Sequence, residues 1–195
     1  MRLSIVTLGH VHTEDLEPLT KTFEHLEQLV LDVPPRDSLT EHRAELNRAI
    51  DAATADWVLI VRERETVDDA LAQEIADAMA AGKAWGFRIR STAIYAGKPL
   101  RIPQPDESEL RLFHRRHFLR RGDLAVQGTV VRMNAVLRSI TFASADEHRD
   151  YLAQKGAKRS ALPRLLLFLR YVIGARARDT STLQYLWTEA GYHLQ

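Results

Sequence analysis

Residues 61–69, VRERETVDD, set arginines and carboxylates alternately at the end of an apolar run, DWVLIV. Guanidinium is a planar fork that binds phosphate oxygens in pairs, and a carboxylate accepts protons or holds a hard cation. On an extended chain Arg62 and Arg64 share a face, so the pair can bind a phosphate group together. The same arginines can instead pair with Glu63, Glu65, Asp68 or Asp69 in a solvated network, the ordinary fate of such clusters. His10 and His12 stand two apart in GHVHTED, but a metal site needs a third ligand, and solvated loop histidines are the default reading. Glu107 and Glu109 are loop acids of the kind that serve as general bases. The segment RLFHRRHFLRR, residues 111–121, interleaves five arginines with apolar residues and suits phosphate of a donor, a lipid or RNA. No aromatic stacking motif accompanies it, so nucleic acid is not expected as a partner. There is no Gly-x-Ser-x-Gly nucleophile elbow, and the absence of cysteine removes thiol nucleophiles, disulfides and zinc-thiolate sites.

Positioning such residues needs a sheet. LSIVTL (Leu3 to Leu8), QLVLDV (Gln28 to Val33) and DWVLIV (Asp56 to Val61) have the β-branched, continuously apolar character of strands covered on both faces. Between the first two, Leu16, Leu19, Phe23 and Leu26 recur at helical spacing, with Thr13 as the expected N-cap. A second helix is predicted over about Leu39 to Ala53. A third carries Val67, Leu71, Ile75 and Met79 on one stripe and ends at Gly82. Three parallel strands joined by helical crossovers predict ligand binding at their carboxyl ends. Beyond Ala84 the pattern turns to strands: AWGFRIR, a hairpin around Ala96-Gly97-Lys98, LRLF, LAVQGTVVRM and LRSITF. Helices then return, with Ser144 capping one, Pro163 opening another, and Thr180 or Ser181 capping the last.

The 195 residues suit one domain with an appendage. The near-neutral balance hides a division: residues 1–80 hold 17 acidic and 7 basic side chains, whereas residues 81–195 hold 9 and 20. Such asymmetry marks either a basic face for anions or complementarity between the two halves. Residues 151–178 carry seven Lys or Arg and no acid around LPRLLLFLRYVIGARAR. This composition fits a helix on an anionic membrane surface, and its apolar stripe fits the core or a homodimer equally. MRLSIVTLGH is not a secretory signal, and no apolar run is long enough to span a bilayer, so a soluble, cytoplasmic protein is expected, with peripheral attachment at the inner membrane face as the variant.

VLD (Val30 to Asp32), ELNRAIDAATADWVLIV (Glu45 to Val61), ELRLFHRR (Glu109 to Arg116) and LPRLLLFLRYVIG, in this order, resemble the family 2 glycosyltransferases of GT-A fold. The likeness is strongest to the bacterial group that builds lipopolysaccharide cores and similar envelope glycans, and it covers most of the chain. The resemblance implies an α/β fold, with a GT-A-like, Rossmann-type mixed sheet flanked by helices in residues 1–143. Within it, 1–82 would form the nucleotide-binding half and 83–143 the acceptor side, with 144–195 a helical C-terminal extension. It also implies transfer of a sugar from a nucleotide donor to an envelope glycan or lipid-linked acceptor. Asp32 would meet the nucleoside, although an Asp before Pro-Pro is more often a turn residue. The family ends its third strand with Asp-x-Asp-Glu, which binds Mg²⁺ or Mn²⁺. Here the matching positions read Arg62, Glu63, Arg64 and Glu65, and two guanidiniums repel a cation. No metal and no other cofactor is therefore expected. Arg62 and Arg64 would hold diphosphate, Glu65 would be the candidate base, and Arg111 would contact acceptor or phosphate unless it forms a structural salt bridge. The His-Glu pair and the later His of these transferases fall nearest Gln127 with Gly128, and Phe142, none of which takes up a proton near neutral pH. The alternative is a noncatalytic binding or scaffold protein on the same fold.

Overall fold

The computed structural model describes residues 1–33, 42–100, 108–120, 124–154, 158–159, 180–190 and 192–193. The chain divides into two compact units: residues 1–91 with 106–138, and residues 92–105 with 139–195. Residues 92–105 thus group with the C-terminal part of the chain.

The first unit is built on three parallel strands, β1 (Arg2–Leu8), β2 (His25–Leu31) and β3 (Trp57–Arg62). β1 lies between the other two, with Leu3 opposite Leu26 and Trp57, and Leu8 opposite Leu31 and Arg62. This central place explains its composition, because every residue from Leu3 to Leu8 is buried. β2 is an edge strand, and His25, Gln28 and Val30 are exposed along it. β4 (Glu65–Thr66) follows β3 across a tight turn. Beyond β3 the sheet turns antiparallel. β7 (Glu109–His114) pairs with β3, placing Val58 opposite Phe113, and then with β5 (Gly86–Tyr95). β10 (Val130–Phe142) and β4 complete the order β2-β1-β3-β7-β5-β10-β4. The fold is therefore mixed α/β.

Alternation along β1 and β3 divides the core. Leu3, Ile5, Leu59 and Val61 point to one face and meet Leu16, Leu19, Leu71, Ile75 and Met79. Val6, Leu8, Val58 and Ile60 point to the other and meet Leu46, Ala49, Ile50, Phe113 and Phe118. The helices answering these faces are α1 (Glu17–Thr22), α2 (Arg43–Ala52) and α3 (Asp69–Ala81). α3 begins where the Asp68 carboxylate accepts from Leu71 N at 2.9 Å and ends at Gly82, whose φ of +60° supplies the left-handed cap.

Several expectations fail locally. The first helix is not one long helix capped by Thr13: residues 13–16 form a 3₁₀ turn entered without a side-chain cap, and α1 is only six residues long. Pro18 sets its first turn, and β2 already begins at His25, so Leu26 is a strand residue. LAVQGTVVRM and LRSITF are not separate strands of equal standing. β9 (Ala125–Val126) is short, and a single β10 runs through the rest.

In the second unit, Ile94 pairs with Pro99 and Tyr95 with Lys98, closing a two-residue hairpin on Ala96 and Gly97. Their φ values of +47° and +75° are those of a type I′ turn, the form whose twist matches the strands. Ser144 caps α4 (Ala145–Gln154), its Oγ accepting from Glu147 N at 3.1 Å. α5 (Thr180–Ala190) already includes Thr180 and Ser181, so neither precedes it as a cap. The His148 ring stacks on Phe142 at 4.2 Å and on Tyr185 at 5.0 Å between centroids. Pro163 and most of the basic segment 151–178 lie outside the described residues. Among the described residues no helix is long and apolar enough to cross a membrane.

Candidate functional site

The carboxyl ends of β1, β2 and β3 converge, the place where open α/β sheets bind ligands. Backbone hydrogen bonds tie them together: Gly9 N donates to Leu31 O at 2.9 Å and Glu63 N to Leu8 O at 2.7 Å. Gly9 has φ +78°, and a Cβ there would lie 2.7 Å from Glu63 Oε2, so glycine is required both by conformation and by the carboxylate lying over it. Asp32 stands exposed immediately after β2, and His10 stands exposed after β1. The His10 and His12 rings meet edge to face at 5.3 Å, and among the described residues no three His, Cys, Asp or Glu side chains form a cation-holding group.

The chemistry of β3's end is decided by β7. Glu65, 2% exposed, accepts from Arg62 N at 2.8 Å and Ser91 Oγ at 2.9 Å. It also accepts from both terminal nitrogens of Arg111, at 3.2 and 3.0 Å. Arg111 is 1% exposed. Its Nη2 additionally lies 2.9 Å from Glu109 Oε2, an ion pair without hydrogen-bond geometry, since that oxygen has no hydrogen-bonding partner. The other Glu109 oxygen accepts from Arg62 Nη2 at 2.9 Å. The chain of contacts runs Arg62, Glu109, Arg111, Glu65, Ser91.

This arrangement places the sequence-derived residues in distinct roles. Glu65, the candidate base, has both oxygens engaged by donors and is shielded from solvent, so it has no free lone pair directed at a ligand. Arg111, the candidate substrate contact, is the buried partner of that carboxylate. Arg62 faces Glu109, with its side chain 26% exposed. The alternation that would put Arg62 and Arg64 on one face does not hold, because β3 ends at Arg62 and the next two residues form a turn in which Arg64 adopts φ +66°. Asp32 and Glu63 remain at the strand ends.

Glu109 was visible in the sequence only as a loop acid. Its function as the bridge between Arg62 and Arg111 follows from its place at the start of β7, where the two-residue period sets Glu109 and Arg111 on one face. Glu107 lies outside the described residues. The remaining arginines of 111–121 are also engaged where described. Arg115 donates to Ala53 O, Arg116 lies 3.4 Å from Asp56, and Arg120 pairs with Asp51. Of the positions nearest the family's later acids and bases, Phe142 is a core residue, Gln127 is exposed, and Gly128 lies against Trp85.

No protein-family model matches the chain, and no curated protein matches its sequence. Among solved structures the chain is similar to a crystal structure of S. aureus TarS 1–349, at 10% identity and a TM-score of 0.43, over 97% of this chain and 71% of that one.

Proposed function

We propose that this chain is a glycosyltransferase-like protein that has lost metal-dependent sugar transfer and binds a nucleotide or nucleotide sugar at the carboxyl ends of β1, β2 and β3. The observation that supports the loss is the engagement of Glu65. The one carboxylate that matches the resembled metal motif is buried, doubly bonded to Arg111 and bonded to Arg62 N and Ser91. Recruiting it to a divalent ion would leave the buried guanidinium with only the part-exposed Glu109 beside it, a loss of both its hydrogen bonds to carboxylate. Asp32 and the strand-end backbone provide a place for the nucleoside.

A second reading keeps transfer to an envelope glycan or lipid-linked acceptor, with arginine neutralising the diphosphate. The observation in its favour is the left-handed backbone of Arg64, an unfavourable conformation of the kind retained at functional sites. Thermal stabilisation by UDP, GDP, CMP and their sugars, with manganese and with a chelator, tests both. Binding is expected to raise the melting temperature equally under both conditions. Stabilisation only with manganese overturns the metal-free site, and silence across the panel overturns nucleotide binding and favours a scaffold. Donor turnover in chelator would select the second reading.

A further inference from the structure

At the opposite end of the same strands, two adjoining cavities open around the amino ends of β1 and β3. The larger, of about 480 Å³, is lined by Arg2, Asp56, Trp57, Met79, Ala80 and His114. The smaller, of about 250 Å³, shares Arg2 and Thr54 with it and continues towards Glu24 at the edge strand. The larger volume falls within the roughly 300–1,000 Å³ typical of small-molecule sites. Trp57 and Met79 give it an apolar wall, and Arg2, Thr54 and Asp56 give it exposed polar groups of opposite sign.

His114 forms part of the wall of the larger cavity. Its Nδ1 is buried and has no hydrogen-bond partner, although buried polar atoms are normally paired. The ring is held edge-on by Trp57 at 5.4 Å and by Trp85 at 5.4 Å, so its orientation is fixed before any ligand arrives. Desolvation holds the imidazole below its ordinary value of 6.5. The Asp56 carboxylate opposes that shift, while the positive groups His117, Arg116 and Arg115 reinforce it. Burial thus favours the uncharged ring as part of the cavity wall. Arg2 lines the same cavity as Asp56, whose carboxylate faces Arg116, so the rim carries charges of both signs. An uncharged ring bearing hydroxyls uses both the apolar wall and this mixed polar rim.

We propose that this amino-edge groove binds a neutral sugar ring, stacked against Trp57 and Met79 and hydrogen-bonded by Asp56 and Thr54. The site lies at the end of the strands opposite Asp32 and Glu63, and it stands whether or not the nucleotide site does. The test is a titration of the ¹⁵N-labelled full chain with glucose, mannose, N-acetylglucosamine and neutral disaccharides, with inorganic phosphate as the charged comparator. Saturable shifts are expected at the Trp57 indole N–H and the amides of residues 54–57. Asp56→Ala should weaken binding about tenfold or more, the value of a hydrogen bond to a charged group. Ala80→Phe, on the exposed face of α3, should close the cavity and abolish the shifts, while Asp32→Ala should leave them intact. Circular dichroism confirms that each variant folds. The proposal is overturned if no sugar gives saturable shifts, if the shifts survive Ala80→Phe and Asp56→Ala unchanged, or if phosphate alone saturates these resonances.

Discussion

Glu65 and Arg111 hold each other in place, and the energetics of such a pair are asymmetric. Forming it offsets two desolvation penalties that nearly cancel its attraction, whereas removing one partner strands a charge in the interior. Glu65→Ala is therefore expected to destabilise the protein by about 3–5 kcal/mol in urea unfolding, and Glu65→Leu combined with Arg111→Met to recover most of that loss. A Glu65 that worked as a solvent-facing base would give a far smaller loss of stability. The sequence shows both residues but not their partnership. An arginine beside an apolar run reads equally as a ligand contact or an ion pair, and only the antiparallel placement of β7 against β3 distinguishes the two.

At the scale of elements, the turn leaving β3 governs what the strand presents. Gly9 permits the close approach of Glu63, and Arg64 carries the left-handed residue of the next turn. Gly9→Ala adds an unfavourable φ, costing about 1–2 kcal/mol, to a clash with Glu63. A correspondingly lower urea midpoint is expected. The parallel strands and α3 were legible from the sequence because burial on both faces, an apolar stripe at helical spacing and a C-cap Gly are local signals. The short α1 was less so, since apolar residues at helical spacing continued into β2, where Leu26 serves the same core from a strand. The length of β10 was hidden at Asn134 to Val136, the three residues that separate the two strands read from the sequence.

At the scale of the whole molecule, the opposed charge of the two sequence halves finds an internal explanation. Glu65 pairs with Arg111, Asp56 with Arg116, Asp51 with Arg120, and Asp68 with Arg138, each joining an acid from the first 80 residues to an arginine beyond them. The exposed pairs contribute little individually. Together they direct four of the second half's twenty basic groups towards acids of the first half. The buried member of this set also joins groups 46 residues apart in sequence, on strands brought together from distant parts of the chain. Closing so long a loop is slow relative to local helix and turn formation, so this contact is expected to form after the folding barrier is crossed. Its loss should steepen escape from the native basin and leave the refolding limb of a stopped-flow chevron almost where it was. The Glu65–Arg111 latch is thus expected to govern the lifetime of the folded molecule rather than the speed with which it is reached.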